Sequence, residues 1–194
     1  FKVMKKKTNN WSLIWNPFIR IAGWQAFGVG IVIVVISAVL ASYGNLVFDG
    51  AVDAHFGSNV GVAKSLIITG ISLFSVVLTM YVVGIIISKN FRFVDILGTM
   101  TLARAPYLLL AVLAPFATFP DIEQILQNPM IVLEYPFIII FGVISLPVLI
   151  WSIALMYNGL KVSTGAKGMK LTVGFIVGIL AAEIISKLFI HLIL

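Results

Sequence analysis

Apolar residues in this chain neither alternate with polar ones at period two nor form the narrow stripe of a surface helix. They run on in five stretches, approximately 24–43, 65–88, 96–117, 136–157 and 171–192. Each exceeds the roughly 18 residues that a helix needs to cross about 30 Å of hydrocarbon. Their Gly, Ala and Ser content and the absence of alternation predict helices, because a segment in lipid must satisfy its own backbone and a barrel strand would alternate. The pattern therefore predicts an all-α fold. It divides into an interfacial amphipathic segment over 1–23 and a polytopic bundle of five transmembrane helices over 24–194.

The first run is too long for the 7–15-residue core of a signal peptide, and some twenty residues precede it, so it reads as a retained span. Met4 reads as the natural start, with Phe1–Val3 lying before it. The lead-in "NNWSLIWNPFIRIAGW" sets Trp11, Leu13, Ile14, Trp15, Phe18 and Ile19 among polar residues. Trp favours the headgroup region, so this segment is expected to lie along the membrane surface, its lysines on anionic lipid headgroups. Asn16-Pro17 should break it, since the residue before proline avoids the helical region.

Composition agrees. Of 194 residues, 61% are hydrophobic and 10% charged, with a mean hydropathy of +1.14. A soluble domain carries charge on about a quarter of its residues. There is no cysteine, which excludes disulfides and thiolate metal sites. The net charge of +6 does not point to nucleic acid, because the basic residues lie between the apolar runs. Lys2, Lys5, Lys6, Lys7 and Arg20 precede the first run, Lys89 and Arg92 follow the second, and Lys161, Lys167 and Lys170 follow the fourth. The alternate connections hold Asp49, Asp53, Asp121, Glu123 and Glu134, with only Lys64 and Lys187 on that side. The positive-inside rule then predicts a cytoplasmic N-terminus and an external C-terminus.

Within the spans, Arg104 lies eight residues past Ile96, about 12 Å in. A centred arginine costs at least about 2.5–3.5 kcal/mol, so it must face protein, water or a headgroup. Asp95 falls on the opposite helix face. Glu183 reaches a comparable depth in the last run, which allows an Arg104–Glu183 pair. The competing arrangement pairs Glu183 with Lys187 at i,i+4 and lets Arg104 snorkel to the surface. Arg104, Glu183 and Lys187 are the candidate intramembrane polar site. Pro106, Pro115 and Pro147 each remove a backbone donor, freeing the carbonyls of Leu102, Ala111 and Val143, and predict kinks in the third and fourth spans. Gly174, Gly178 and Ala182, continued by Ser186, form a small-residue groove for close helix packing, within the monomer in preference to a homodimer.

Nothing assembles a nucleophile, base and orienter, and the zinc, phosphate-loop and dinucleotide signatures are absent. His55 follows Asp49 and Asp53 in "FDGAVDAHFG", where a metal would need a tightly curled loop; a solvated loop is expected. His191 should sit at the outer boundary. The chain is expected to be no enzyme and to use no cofactor or metal. "TFPDIEQILQNPM" reads as a short surface helix opened by Pro120, with Asp121 and Glu123 complementing its dipole, and ended by Asn128-Pro129.

The "LIWNP" lead-in, five closely spaced spans, the third-span segment "FRFVDILGTMTLARAPYLLL" with Arg92, Arg104 and Pro106, and "YNGLKVSTGAKG" before the last span resemble the Yip family of five-span membrane proteins, named for interaction with Ypt/Rab GTPases. The resemblance covers nearly the whole chain. It implies a helical bundle with a cytosolic N-terminus and a role in vesicle traffic for eukaryotic members. Those members carry a long cytosolic region where this chain has some twenty residues, so the resemblance is to the prokaryotic branch and does not extend to Rab binding. The expectation is a non-enzymatic factor that organises membrane or binds other membrane proteins. The alternative is a small transporter, channel or lipid-translocating protein with a pathway along the kinked third and fourth spans.

Overall fold

The computed structural model describes residues 10–57, 60–117 and 126–194, without the side chains of Asn10 and Val132. Its helices are α1 (Asn10–Trp15), α2 (Gly23–Tyr43), α3 (Val62–Ile87), α4 (Phe93–Leu102), α5 (Tyr107–Leu113), α6 (Pro136–Thr164) and α7 (Met169–Ile193). Five stretches are long and apolar enough to cross a membrane: α2, α3, the α4–α5 unit through Phe116, α6 and α7. Among the described residues the fold is thus helical, with five helical stretches long and apolar enough to span a membrane.

The third span is central, with 67% of its apolar stretch buried against 17% for the fourth. It packs on α2 and α6, while α3 packs on α7. Small residues permit the closest approaches. A Cβ at Gly30 would stand 2.7 Å from the Leu102 backbone nitrogen, and one at Gly98 would collide with the Gly23 carbonyl. The Gly174–Gly178 groove receives Val83, Ile87 and Met80 of α3, and Ala182 and Ser186 are buried further along the same helix. This groove is therefore filled from within the chain.

The three prolines behave differently. Pro106 ends α4: residues 103–106 form turns, and Ala105 and Leu109 donate to the carbonyls of Leu102 and Pro106 three residues back. The Leu102 carbonyl, expected to be left free, is thus satisfied by the tighter turn. Pro115 sits in a closing 3-10 turn, Ala114–Phe116. Pro147 lies inside an unbroken α6. That helix also runs seven residues past the expected end at Tyr157, through Thr164. It stops at Gly165, whose φ of 67° provides the left-handed cap. Chain geometry, and not the fading of hydrophobicity, sets that end.

Ahead of the bundle, α1 breaks at Asn16 as expected and continues as the turn Pro17–Ile19. Trp151 Nε1 donates to the Ile14 carbonyl at 2.8 Å and Asn158 Nδ2 to that of Trp15 at 2.9 Å. The lead-in is therefore fastened to α6, with Trp11, Trp15 and Trp24 exposed. The basic residues Lys2, Lys5, Lys6 and Lys7 lie outside the described residues, as do Pro120, Asp121 and Glu123 of the expected surface helix. The described end of that connection is a 3-10 turn, Pro129–Glu134.

One segment was not anticipated. The connection 44–61 contains a two-residue hairpin, Leu46–Val47 (β1) pairing antiparallel with His55–Phe56 (β2). Between them Phe48, Asp49, Gly50 and Ala51 are buried. The loop enters the bundle instead of lying over it.

The close contacts generate a test. Gly98→Ala forces a methyl into the α2 backbone and is expected to lower stability by about 1–3 kcal/mol. Gly28→Ala meets nothing within 4 Å and should be neutral or slightly stabilising. Thermal unfolding of the two variants in the same detergent checks the contrast.

Candidate functional site

Arg104 lies in the break of the third span, among the turns that join α4 to α5. The residue is 2% exposed. Its Nη2 donates to the Gly50 carbonyl at 3.0 Å and to Ser72 Oγ at 2.8 Å, and Ser72 Oγ donates to the same carbonyl at 2.5 Å. The guanidinium lies 5.8 Å from the centroid of the Tyr107 ring, within cation–π range. Phe48 stacks on that ring at 5.2 Å. Three elements thus converge on one peptide: the break in the third span, α3 through Ser72, and the loop through Gly50.

A second set holds the loop from α7. Glu183 Oε2 accepts from the Val52 amide at 3.3 Å, and its carboxylate packs against Gly50 so closely that no side chain fits there. Lys187 Nζ donates to Asp49 Oδ2 at 2.9 Å and to Asp53 Oδ2 at 2.6 Å, and stands 3.7 Å from Glu183 Oε1. His55 Nδ1 approaches Asp49 Oδ2 at 3.1 Å. Asp49 is 5% exposed. Its cost of burial is offset by Lys187, since a buried charge must be paired.

Several expectations are corrected by this geometry. Arg104 does not pair with Glu183; the two grip neighbouring peptides of one loop. Nor does it snorkel, because the loop comes down to meet it. The Glu183–Lys187 contact at i,i+4 is present but long, and Lys187 is engaged more closely by two aspartates. The loop that carries His55 is curled, with Phe48, Asp49 and Ala51 buried, while the His55 and Asp53 side chains stay about half exposed, as a solvated loop would have them. Among the described residues no group of three or more metal-ligating side chains is arranged to hold an ion. Asp95 pairs with Arg92 in a bidentate contact, both bonds 2.9 Å. His191 lies in the last turn of α7, one turn past Lys187, and borders the same surface groove as Glu183 and Lys187.

Sequence reasoning overlooked Gly50, Ser72 and Tyr107. A signal for the serine was present: Ser65, Thr69, Ser72, Ser75 and Thr79 recur at helical spacing, and all five are buried. Such a stripe on an apolar helix marks the face that meets other polar groups. Nothing local marks Gly50, whose role depends on a carbonyl common to every residue.

Among the described residues, two cavities adjoin the site on the side of Tyr107, and an open groove borders Glu183 and Lys187 on the outer side of α7. One, about 10 Å³, lies beside Arg104 between Val34, Ser37, Phe48, Thr69 and Tyr107, which is room for one water. Arg104 Nε and Nη1 and Thr69 Oγ1, on its walls, are buried without partners. The other, about 160 Å³, lies between the loop, α5 and α6. Tyr107 borders both.

Comparison of this chain with known family models, curated proteins and solved structures yields no match. The site must be understood from its own chemistry.

Two outcomes follow. Arg104→Gln and Ser72→Ala share the Gly50 carbonyl, so their unfolding free energies should be non-additive by about 0.5–3 kcal/mol in a double-mutant cycle; additivity would mean that the two bonds act independently. The hydrogen bond from Lys187 holds the Asp53 carboxyl below its usual range, outweighing a smaller opposing effect of burial. Folding therefore gains from ionised Asp53 above about pH 4, the unfolded value, and loses this gain as pH falls through the lower folded value. Asp53→Asn should flatten that acid limb in a melting series from about pH 6 to 3.

Proposed function

We propose that this chain is a non-enzymatic membrane protein that organises membrane or binds other membrane proteins, in keeping with its resemblance to the prokaryotic branch of the Yip family. The observation that carries the reading is how its central polar groups are used. Arg104, Ser72, Glu183 and Lys187 all hold the 44–61 loop in place. The cavity beside Arg104 has room for one water, far less than a hydrated ion requires. No described set of side chains has the arrangement of a nucleophile, base and orienter.

The orientation we propose has a cytosolic N-terminus in a bacterial inner membrane. Lys89, Arg92, Lys161, Lys167 and Lys170 stand at one end of the helices, and Asp49, Asp53, Glu183 and Lys187 cluster toward the other, as the positive-inside rule requires. Exposed Trp11, Trp15 and Trp24 suit the headgroup layer at the basic end.

A second reading, a small transporter or lipid-translocating protein, is favoured by one feature. A broken span facing an entering loop is the kind of irregular backbone that membrane proteins keep at binding sites. Purified protein reconstituted into liposomes separates the two. The first reading expects ion flux and lipid scrambling at the level of protein-free vesicles. Activity at least about tenfold above that level, removed by Arg104→Gln, would establish the second.

A further inference from the structure

The 160 Å³ cavity between the loop, α5 and α6 has the make-up of a ligand site. Its volume is close to the about 150 Å³ of an apolar cavity that takes up benzene. Leu110, Phe141, Leu146 and Leu149 provide apolar walls, and Asp53, Tyr107 and Ser145 are the polar groups among them. An apolar chamber with a few convergent polar groups is the usual composition of a small-molecule site. The Tyr107 hydroxyl, in a residue 3% exposed, lies toward the Ser152 hydroxyl of α6 and keeps hydrogen-bonding capacity for a ligand.

Charge decides the class of ligand. Asp49, Asp53 and Glu183 share the single ammonium of Lys187 within 3.7 Å. The other nearby cation, Arg104, is directed at the Gly50 carbonyl. His55 adds positive charge only when protonated. The region is therefore short of cations. Asp53 already accepts from Lys187 at 2.6 Å and from the Ala54 amide at 2.8 Å, but each carboxylate oxygen can take a second donor. The rings of Phe141 and Tyr107 stand on the walls, and aromatic faces attract a cation further. An anion would meet the carboxylate surplus and be repelled.

We propose that this cavity binds a small amphiphilic amine of about one ring in size, its ammonium on the Asp53 carboxylate and its apolar body among Leu110, Phe141 and Leu149. The site requires the loop, the broken third span and the fourth span together. It is independent of the membrane-organising role proposed above.

Three probes share a ring and differ in charge: benzylamine, benzyl alcohol and benzoate. With the purified full chain in detergent at pH 7, calorimetric titration should show saturable binding of benzylamine. Binding of benzyl alcohol should be weaker by about tenfold, the weight of one charge-assisted contact, and benzoate should show none. Asp53→Asn should bring benzylamine down to the level of benzyl alcohol. Ser145→Phe, which fills the chamber from α6 without touching the ion pairs of the loop, should abolish binding of both. No saturable benzylamine binding, equal binding of benzoate, or undiminished binding to Ser145→Phe would each overturn the proposal.

Discussion

A guanidinium cannot be left without acceptors inside an apolar bundle, and the architecture around Arg104 follows from that constraint. A lipid environment supplies nothing, so the acceptors must come from protein. Here they are a backbone carbonyl and a serine hydroxyl, brought from a loop and from a neighbouring helix. The loop has to enter the bundle for Gly50 to arrive. Its own peptides then need partners, and Glu183 takes the Val52 amide. Its aspartates need countercharges, and Lys187 supplies one. Each polar group that goes below the surface obliges another to follow it.

The same chain of dependence explains why the third span is broken where it is. Pro106 cannot donate to Leu102, and the backbone takes tighter three-residue hydrogen bonds across residues 103–109. This turn gives Arg104 its position at the junction of α4 and α5. The buried proline and the buried arginine are parts of one device. The peripheral fourth span keeps Pro147 inside an unbroken helix. A proline breaks a helix when the surrounding structure can use the break.

Small residues make the dense centre accessible to backbone-level contacts. Gly30 and Gly98 bring α2 and the third span close enough that side chains are excluded. Gly50 is used in the same way, since the Glu183 carboxylate occupies the place of its side chain. Van der Waals packing is the main attraction available between helices in lipid, where the hydrophobic effect no longer drives their association. The tightest packing therefore falls on the element that also carries the buried charge.

The number, type and rough limits of the spans were legible from hydrophobic runs, because crossing a bilayer is a demand on local composition. The break at Asn16-Pro17 and the importance of Arg104 were legible for the same reason: proline geometry and the cost of a buried charge act locally. The partner of Arg104 was not. Depth along two helices allowed Glu183, but the arginine took a carbonyl from a loop whose sequence, "FDGAVDAHFG", read as solvated. The length of α6 was also missed, since its end depends on a left-handed cap at Gly165 and not on the apolar run.

By itself, then, the amino-acid order determined that five apolar spans form and that one charge must be hidden among them. Only the tertiary structure decided which acceptors that charge finds, because one of them is a peptide carbonyl. Every residue carries one, and three-dimensional proximity alone distinguishes that of Gly50.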